Sequence, residues 1–94
     1  MSRQWKLGKT ATNIKTGNGK TIIRYHWTDV VSFDQNEIVL DHGNWKTNTT
    51  KTRMNQAANQ YGLEYSVYQE DFSWFVSYRG KVYPFDEQTI TLKR

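Results

Sequence analysis

One stretch of this 94-residue chain carries a helical period, and its brevity constrains everything around it. Met54, Ala57, Ala58 and Tyr61 fall at i, i+3, i+4 and i+7, the spacing that lines one side of a helix, and Gly62 stands where a left-handed closing residue belongs. A helix from about Thr49 to Tyr61 is too short to persist alone in water, so it must pack on a sheet. The remaining apolar segments alternate with period two and are punctuated by turn residues, which supplies that sheet.

Trp5 to Lys15 is polar, Thr-rich and weakly alternating, as an edge strand or a loosely held arm would be, and Gly17, Asn18 and Gly19 then suit a hairpin turn. "TIIRYHWTDVVSF", residues 21–33, reads as one long strand. It sets Ile23, Tyr25 and Trp27 on one face and Ile22, Arg24, His26 and Thr28 on the other, with a bulge or bend near Thr28 and Asp29 where the period fails. Glu37 to Asp41 is a short strand, so the first half is a meander of two or three strands. After the helix, Leu63, Tyr65 and Val67 alternate into the turn "QEDF", and Trp74, Val76 and Tyr78 alternate out of it. Arg79-Gly80-Lys81 turns the chain into Val82 to Phe85, where Pro84 argues for a sheet edge, and "TITL" makes a last strand. The expected fold is α+β: an antiparallel sheet of about five or six strands with one helix, about 49–61, packed on one face, in the order strands, helix, strands. One domain fills 1–94, with flexible ends expected at 1–4 and 93–94.

Four Trp, six Tyr and four Phe give so short a chain enough burial to fold without staples, and the absence of cysteine excludes disulfides, thiolate chemistry and sulfur-ligated metals. The start, "MSRQWKLGKT", lacks the apolar run of a secretory signal, and no segment approaches a bilayer span. A cytoplasmic protein without a membrane partner is expected. The net charge of +4 is uneven: residues 1–53 carry nine Lys or Arg against four Asp or Glu, and residues 54–94 carry four against five. That asymmetry allows a basic face for an acidic partner and is also ordinary for solubility.

No catalytic pattern emerges. His26 and His42 are too few for a hydrolytic metal centre, and Asp29, Asp34, Glu37 and Asp41 match no calcium loop. Ser32 and Ser66 lack a nucleophile motif, and "GNGKT", Gly17 to Thr21, is too short for a phosphate loop and joins strand to strand. A non-enzymatic protein with no cofactor and no metal is the expectation.

The amino-terminal end of the helix is unusual. Thr47, Asn48 or Thr49 can cap it, yet Lys46, Lys51 and Arg53 surround an end whose partial positive charge favours acids. Two readings stand: capping beside a solvated face, or a phosphate site of amides, hydroxyls and basic side chains. In the second, Lys46, Thr49, Lys51 and Arg53 would hold DNA or RNA, with Lys20 and Arg24 as further phosphate contacts and Asn55 and Gln56 reading base edges. The chain also has more rings than one sheet face must bury. Trp5, Trp45 and Phe75 are candidates for an exposed aromatic surface that would bind a host protein or form a homodimer.

The segments "GNWKTNTTKTRMNQAANQYGLEYSVYQEDFSWFVSY" and "YPFDEQTITL" resemble a small uncharacterised domain of phage-encoded proteins, over roughly Ile38 to Leu92. Trp45, Thr49-Thr50-Lys51, Arg53 and Asn55-Gln56 carry most of the resemblance, followed by Leu63, Val67-Tyr68, Trp74 and Pro84-Phe85. It implies a viral source and an auxiliary role, and it brings no catalytic residues. A nucleic-acid-binding accessory protein is the first expectation, and a module that binds or inhibits a host protein is the second.

Overall fold

The computed structural model describes residues 12–44 and 46–94. Four antiparallel strands, β1 (Thr12–Gly17), β2 (Lys20–Tyr25), β3 (Thr28–Phe33) and β4 (Glu37–Asp41), lead into α1 (Asn48–Tyr61). A second meander follows, β5 (Tyr65–Glu70), β6 (Ser73–Tyr78) and β7 (Lys81–Pro84), and β8 (Thr89–Lys93) returns to pair with β4. The α+β class, the antiparallel pairing and the strands, helix, strands order are as the sequence implies. The strands divide between two sheets, β1-β2-β3-β4-β8 and β5-β6-β7, rather than forming one.

Residues 21–33 correct the reading of one long strand. Tyr25 pairs with Thr28 across a two-residue turn, so His26 and Trp27 form a hairpin tip and the first meander has four strands. Turn residues such as Gly or Asn are absent there, and His26 takes a φ of 57° itself. A bulge does occur in this stretch, one residue past the expected place. Ile23 pairs with Val31 and Arg24 with Asp29, which leaves Val30 as the extra residue. Both valines are consequently buried, as their adjacency requires.

The core lies where the two sheets and the helix meet. Ile23, Val31, Leu40 and Ile90 are successive cross-strand partners over four strands of the larger sheet, and Ile38 pairs with Leu92 beside them. From the helix come Met54, Ala57 and Ala58; from the smaller sheet come Tyr65, Val67, Trp74, Val76 and Tyr78, with Phe85 just beyond β7. These residues form one cluster, so neither sheet has a core of its own. Pro84 sits on the edge strand β7, where its missing N–H costs no ladder bond. At the carboxyl end Lys93 pairs with Glu37, and Arg94 donates from its backbone to the Asn36 carbonyl at 3.0 Å and from its guanidinium to the Asp34 carbonyl at 2.7 Å.

The helix is fixed at both ends and in the middle. Thr47 is the N-cap and its hydroxyl accepts the Thr50 N–H at 3.2 Å. Gly62, at φ 63°, ends the helix, and the Leu63 N–H reaches back to the Ala58 carbonyl at 2.9 Å. Between them the Asn55 amide donates to the Val67 carbonyl at 2.9 Å and accepts the Val67 N–H at 2.8 Å, closing the open edge of β5. The buried Tyr65 hydroxyl donates to the Met54 carbonyl at 2.6 Å, and burial holds its phenol far above the ordinary range.

Three other hairpins have two-residue loops with positive φ at both positions: Asn18-Gly19, Asp71-Phe72 and Arg79-Gly80. Two place glycine second. The third places Phe72 there at φ 70°, a conformation that costs an L residue with a Cβ about 1–2 kcal/mol.

Asn55→Ala leaves the Val67 N–H and carbonyl without their partners and is expected to lower stability in urea by about 1–3 kcal/mol. Asn59→Ala, on the exposed side of the same helix, should stay within about 0.5 kcal/mol of the parent.

Candidate functional site

A groove of about 360 Å³ opens at the N-terminal end of α1. Its walls are the β2–β3 tip, with Tyr25, His26, Trp27 and Thr28, and the helix start, with Thr47 and Thr50; Val30 and His42 lie behind them. Trp27 is 93% exposed, projecting from the tip with most of its ring in solvent. An aromatic ring this open beside a groove leaves a large apolar area in solvent.

Residues 41–44, "DHGN", connect β4 toward the helix and shape the back of the groove. The Asp41 carboxylate accepts the Gly43 N–H at 2.7 Å and the His42 Nδ1 accepts the Asn44 N–H at 3.0 Å. A Cβ on Gly43 would lie 2.5 Å from the Thr28 hydroxyl, so only glycine lets this loop sit against the β2–β3 tip. Because Nδ1 is an acceptor, the proton of neutral His42 resides on Nε2. That atom is buried and meets no hydrogen-bond partner of good geometry among the described residues. Burial pushes the imidazole below its usual range. The carbonyls of Glu87 and Asp86 oppose the shift, but without a closed hydrogen bond they do not cancel it. The ring is also walled in by Trp74, 5.6 Å away between centroids, and Phe85, 4.9 Å away.

The residues singled out in the sequence divide into groups. Lys46, Thr49 and Lys51 all belong to the helix start, but Thr49 and Lys51 are two positions apart and so lie on different sides of the helix. Lys46 pairs with Asp86 at 3.5 Å with both side chains part-exposed, and the Lys51 amine lies 5.7 Å from the Trp74 ring centre. Arg53, one turn on, stacks over Tyr25 at 5.5 Å while bonding Gln56 at 3.1 Å and Thr12 at 3.1 Å. Arg53 thus ties the helix to the groove wall. Gln56 is buried and Asn55 is committed to Val67, so both amides are engaged within the protein. Lys20 begins β2, at the end away from the Tyr25 side, and Arg24 lies on the sheet's outer face, paired with Asp29 at 2.8 Å. Phe75 is half-buried and stacked on Tyr68 at 5.6 Å, on the outer face of the smaller sheet. Trp5 and Trp45 fall outside the described residues.

Sequence reasoning did not single out Trp27 and Phe72, each 93% exposed and the most open Trp, Tyr or Phe rings among the described residues. The signal for Phe72 was present in "QEDF", read as a turn. Trp27 was hidden because "YHWT" has no turn chemistry. Among the described residues no three His, Asp or Glu gather as a metal site, and no helix is long and apolar enough to cross a membrane.

The fold defines a small two-sheet α+β domain with a groove at the helix start. The chain belongs to the Kyanoviridae Gp96 protein family, which matches residues 1–92, and is therefore a small phage-associated domain. The match extends the resemblance across the first 37 residues, beyond the part that carried it in the sequence. Neither a curated protein nor a solved structure is similar to the chain.

His42 gives a pH test of this arrangement. A lowered folded pKa means that the unfolded chain takes up the proton first, so the contribution is complete above about pH 6.5 and is lost as pH falls through the lowered folded value. Thermal melting should therefore weaken as pH falls from about 6.5, and His42→Gln should flatten that part of the profile.

Proposed function

We propose that this protein binds single-stranded nucleic acid, without catalysing a reaction, in the groove at the N-terminal end of α1. The observation that carries this reading is the juxtaposition of Trp27, almost wholly exposed, with a helix start that has no acidic residue in its first turn. An unpaired base stacks on Trp27, since every base has a π-face that a duplex keeps hidden. Its phosphates lie toward Lys46 and Lys51, drawn by their charge and by the positive end of the helix dipole. The Lys46–Asp86 pair is part-exposed, so a phosphate can replace the carboxylate at little cost. The +4 net charge adds a favourable long-range field. Asn55 and Gln56, being engaged inside the protein, contribute no base reading, so weak sequence preference is expected. Lys20 and Arg24 are too far from the groove or on the wrong face to share one bound strand with it.

Fluorescence anisotropy of labelled single-stranded and duplex oligonucleotides, at about 50 and about 200 mM salt, tests this. Single strands should bind more tightly than duplex, with affinity falling as salt rises. Trp27→Ala should weaken binding at least about fivefold at either salt, as loss of a stacked base does. Lys46→Ala and Lys51→Ala should each reduce the salt slope by about one. Absence of binding at the lower salt would reject the reading.

A further inference from the structure

The β5–β6 hairpin carries a feature that folding does not explain. Its loop has the same backbone as the Asn18-Gly19 and Arg79-Gly80 loops, yet the second position is Phe72, at φ 70°, where the others have glycine at 75° and 78°. Phe72 recovers nothing by burial, being 93% exposed. A strained backbone that presents a solvated ring is expected where the ring meets something outside the molecule. Glu70 and Asp71, both exposed, precede it, so the tip is an aromatic ring with two carboxylates at its base.

The same end of the molecule bears the opposite surface. Trp74, two residues along β6 from Phe72, lies beneath Lys51 and edge-on to His42 at the back of the groove. The tip and the groove therefore flank one helix end, the first acidic and aromatic, the second aromatic, with Lys46 and Lys51 at the helix start beside its lining. We propose that the Phe72 tip of one copy docks in the helix-end groove of a second copy. Phe72 packs against Trp27, and Glu70 and Asp71 face Lys46 and Lys51. With tip and groove at one end, a single two-fold axis makes both contacts reciprocally. A ring with adjoining negative charge also imitates a nucleotide, so the second copy and a nucleic-acid strand compete for the groove. The dimer stands without nucleic-acid binding; the competition rests on that reading.

Sedimentation equilibrium of the full chain over a wide concentration range tests the proposal. The parent should show a concentration-dependent monomer–dimer equilibrium. Phe72→Gly should weaken it about tenfold or more, as loss of a central aromatic anchor does. The same variant creates the preferred Asp-Gly loop, so its urea midpoint at dilute concentration should rise or hold, which separates lost association from misfolding. Asp71→Lys should also weaken the dimer, and pairing it with Lys51→Glu should restore part of the loss. A parent that stays monomeric throughout, or a Phe72→Gly protein that associates as the parent does, overturns the proposal. Added single-stranded oligonucleotide should dissociate the parent dimer. Oligonucleotide binding without any dimer would sink the dimer and leave the groove reading intact; a dimer without oligonucleotide binding would do the reverse.

Discussion

The side-chain amide of Asn55 bridges two elements that share no backbone ladder, donating to the Val67 carbonyl and accepting its N–H. A strand edge left open beside a helix would carry unpaired polar groups in a half-buried place, and each is costly there. By imitating a neighbouring strand for one residue, Asn55 closes β5 and fixes how the smaller sheet stands against α1. Tyr65, donating to the carbonyl of Met54, the residue just before Asn55, adds a second tie between the same two elements. The helix packs on β2 and β3 as well as β5, so this one join holds the two sheets around a common core. The positions of Trp74 under Lys51, and of the Phe72 tip beyond it, follow from the same register.

Much of this was legible in the residues. The Met54, Ala57, Ala58 and Tyr61 stripe and the closing Gly62 located the helix, because both periodicity and capping are local properties. Alternation in Tyr65, Val67, Trp74, Val76 and Tyr78 likewise gave the buried face of the second meander. What escaped was nonlocal or chemically unmarked. Residues 21–33 read as one strand because neither His26 nor Trp27 is a turn-forming type, and only pairing between Tyr25 and Thr28 makes them a turn. Division into two sheets could not be read from alternation, which is the same whether β8 joins β4 or β7. Asn55 lies on the helix's polar side, and nothing local tells an amide that closes a strand from one that reads a base.

The basic residues illustrate a similar limit. Sequence proximity grouped Lys46, Thr49 and Lys51; all three fall at the helix start, but Thr49 and Lys51 lie on different sides of it. Arg53 turns to Tyr25 and Gln56, and Arg24 is carried to the far face by strand alternation. Charge therefore marks the helix end, and the exposed ring of Trp27 lines the groove that opens there. Trp27 sits over a groove; Phe75, stacked on Tyr68, sits on a sheet face. On the proposed reading a strand of bases would meet the first rather than the second, since Trp27 leaves most of its ring open and Phe75 does not.

The direct test of the helix-end groove as the binding surface is chemical-shift mapping of the isotopically labelled protein with a short single-stranded oligonucleotide. The account predicts shifts of the Trp27 indole N–H and of backbone amides in residues 25–28 and 46–51, with the outer face around Tyr68 and Phe75 unmoved. Shifts confined to that outer face, or spread evenly over the surface, would contradict it.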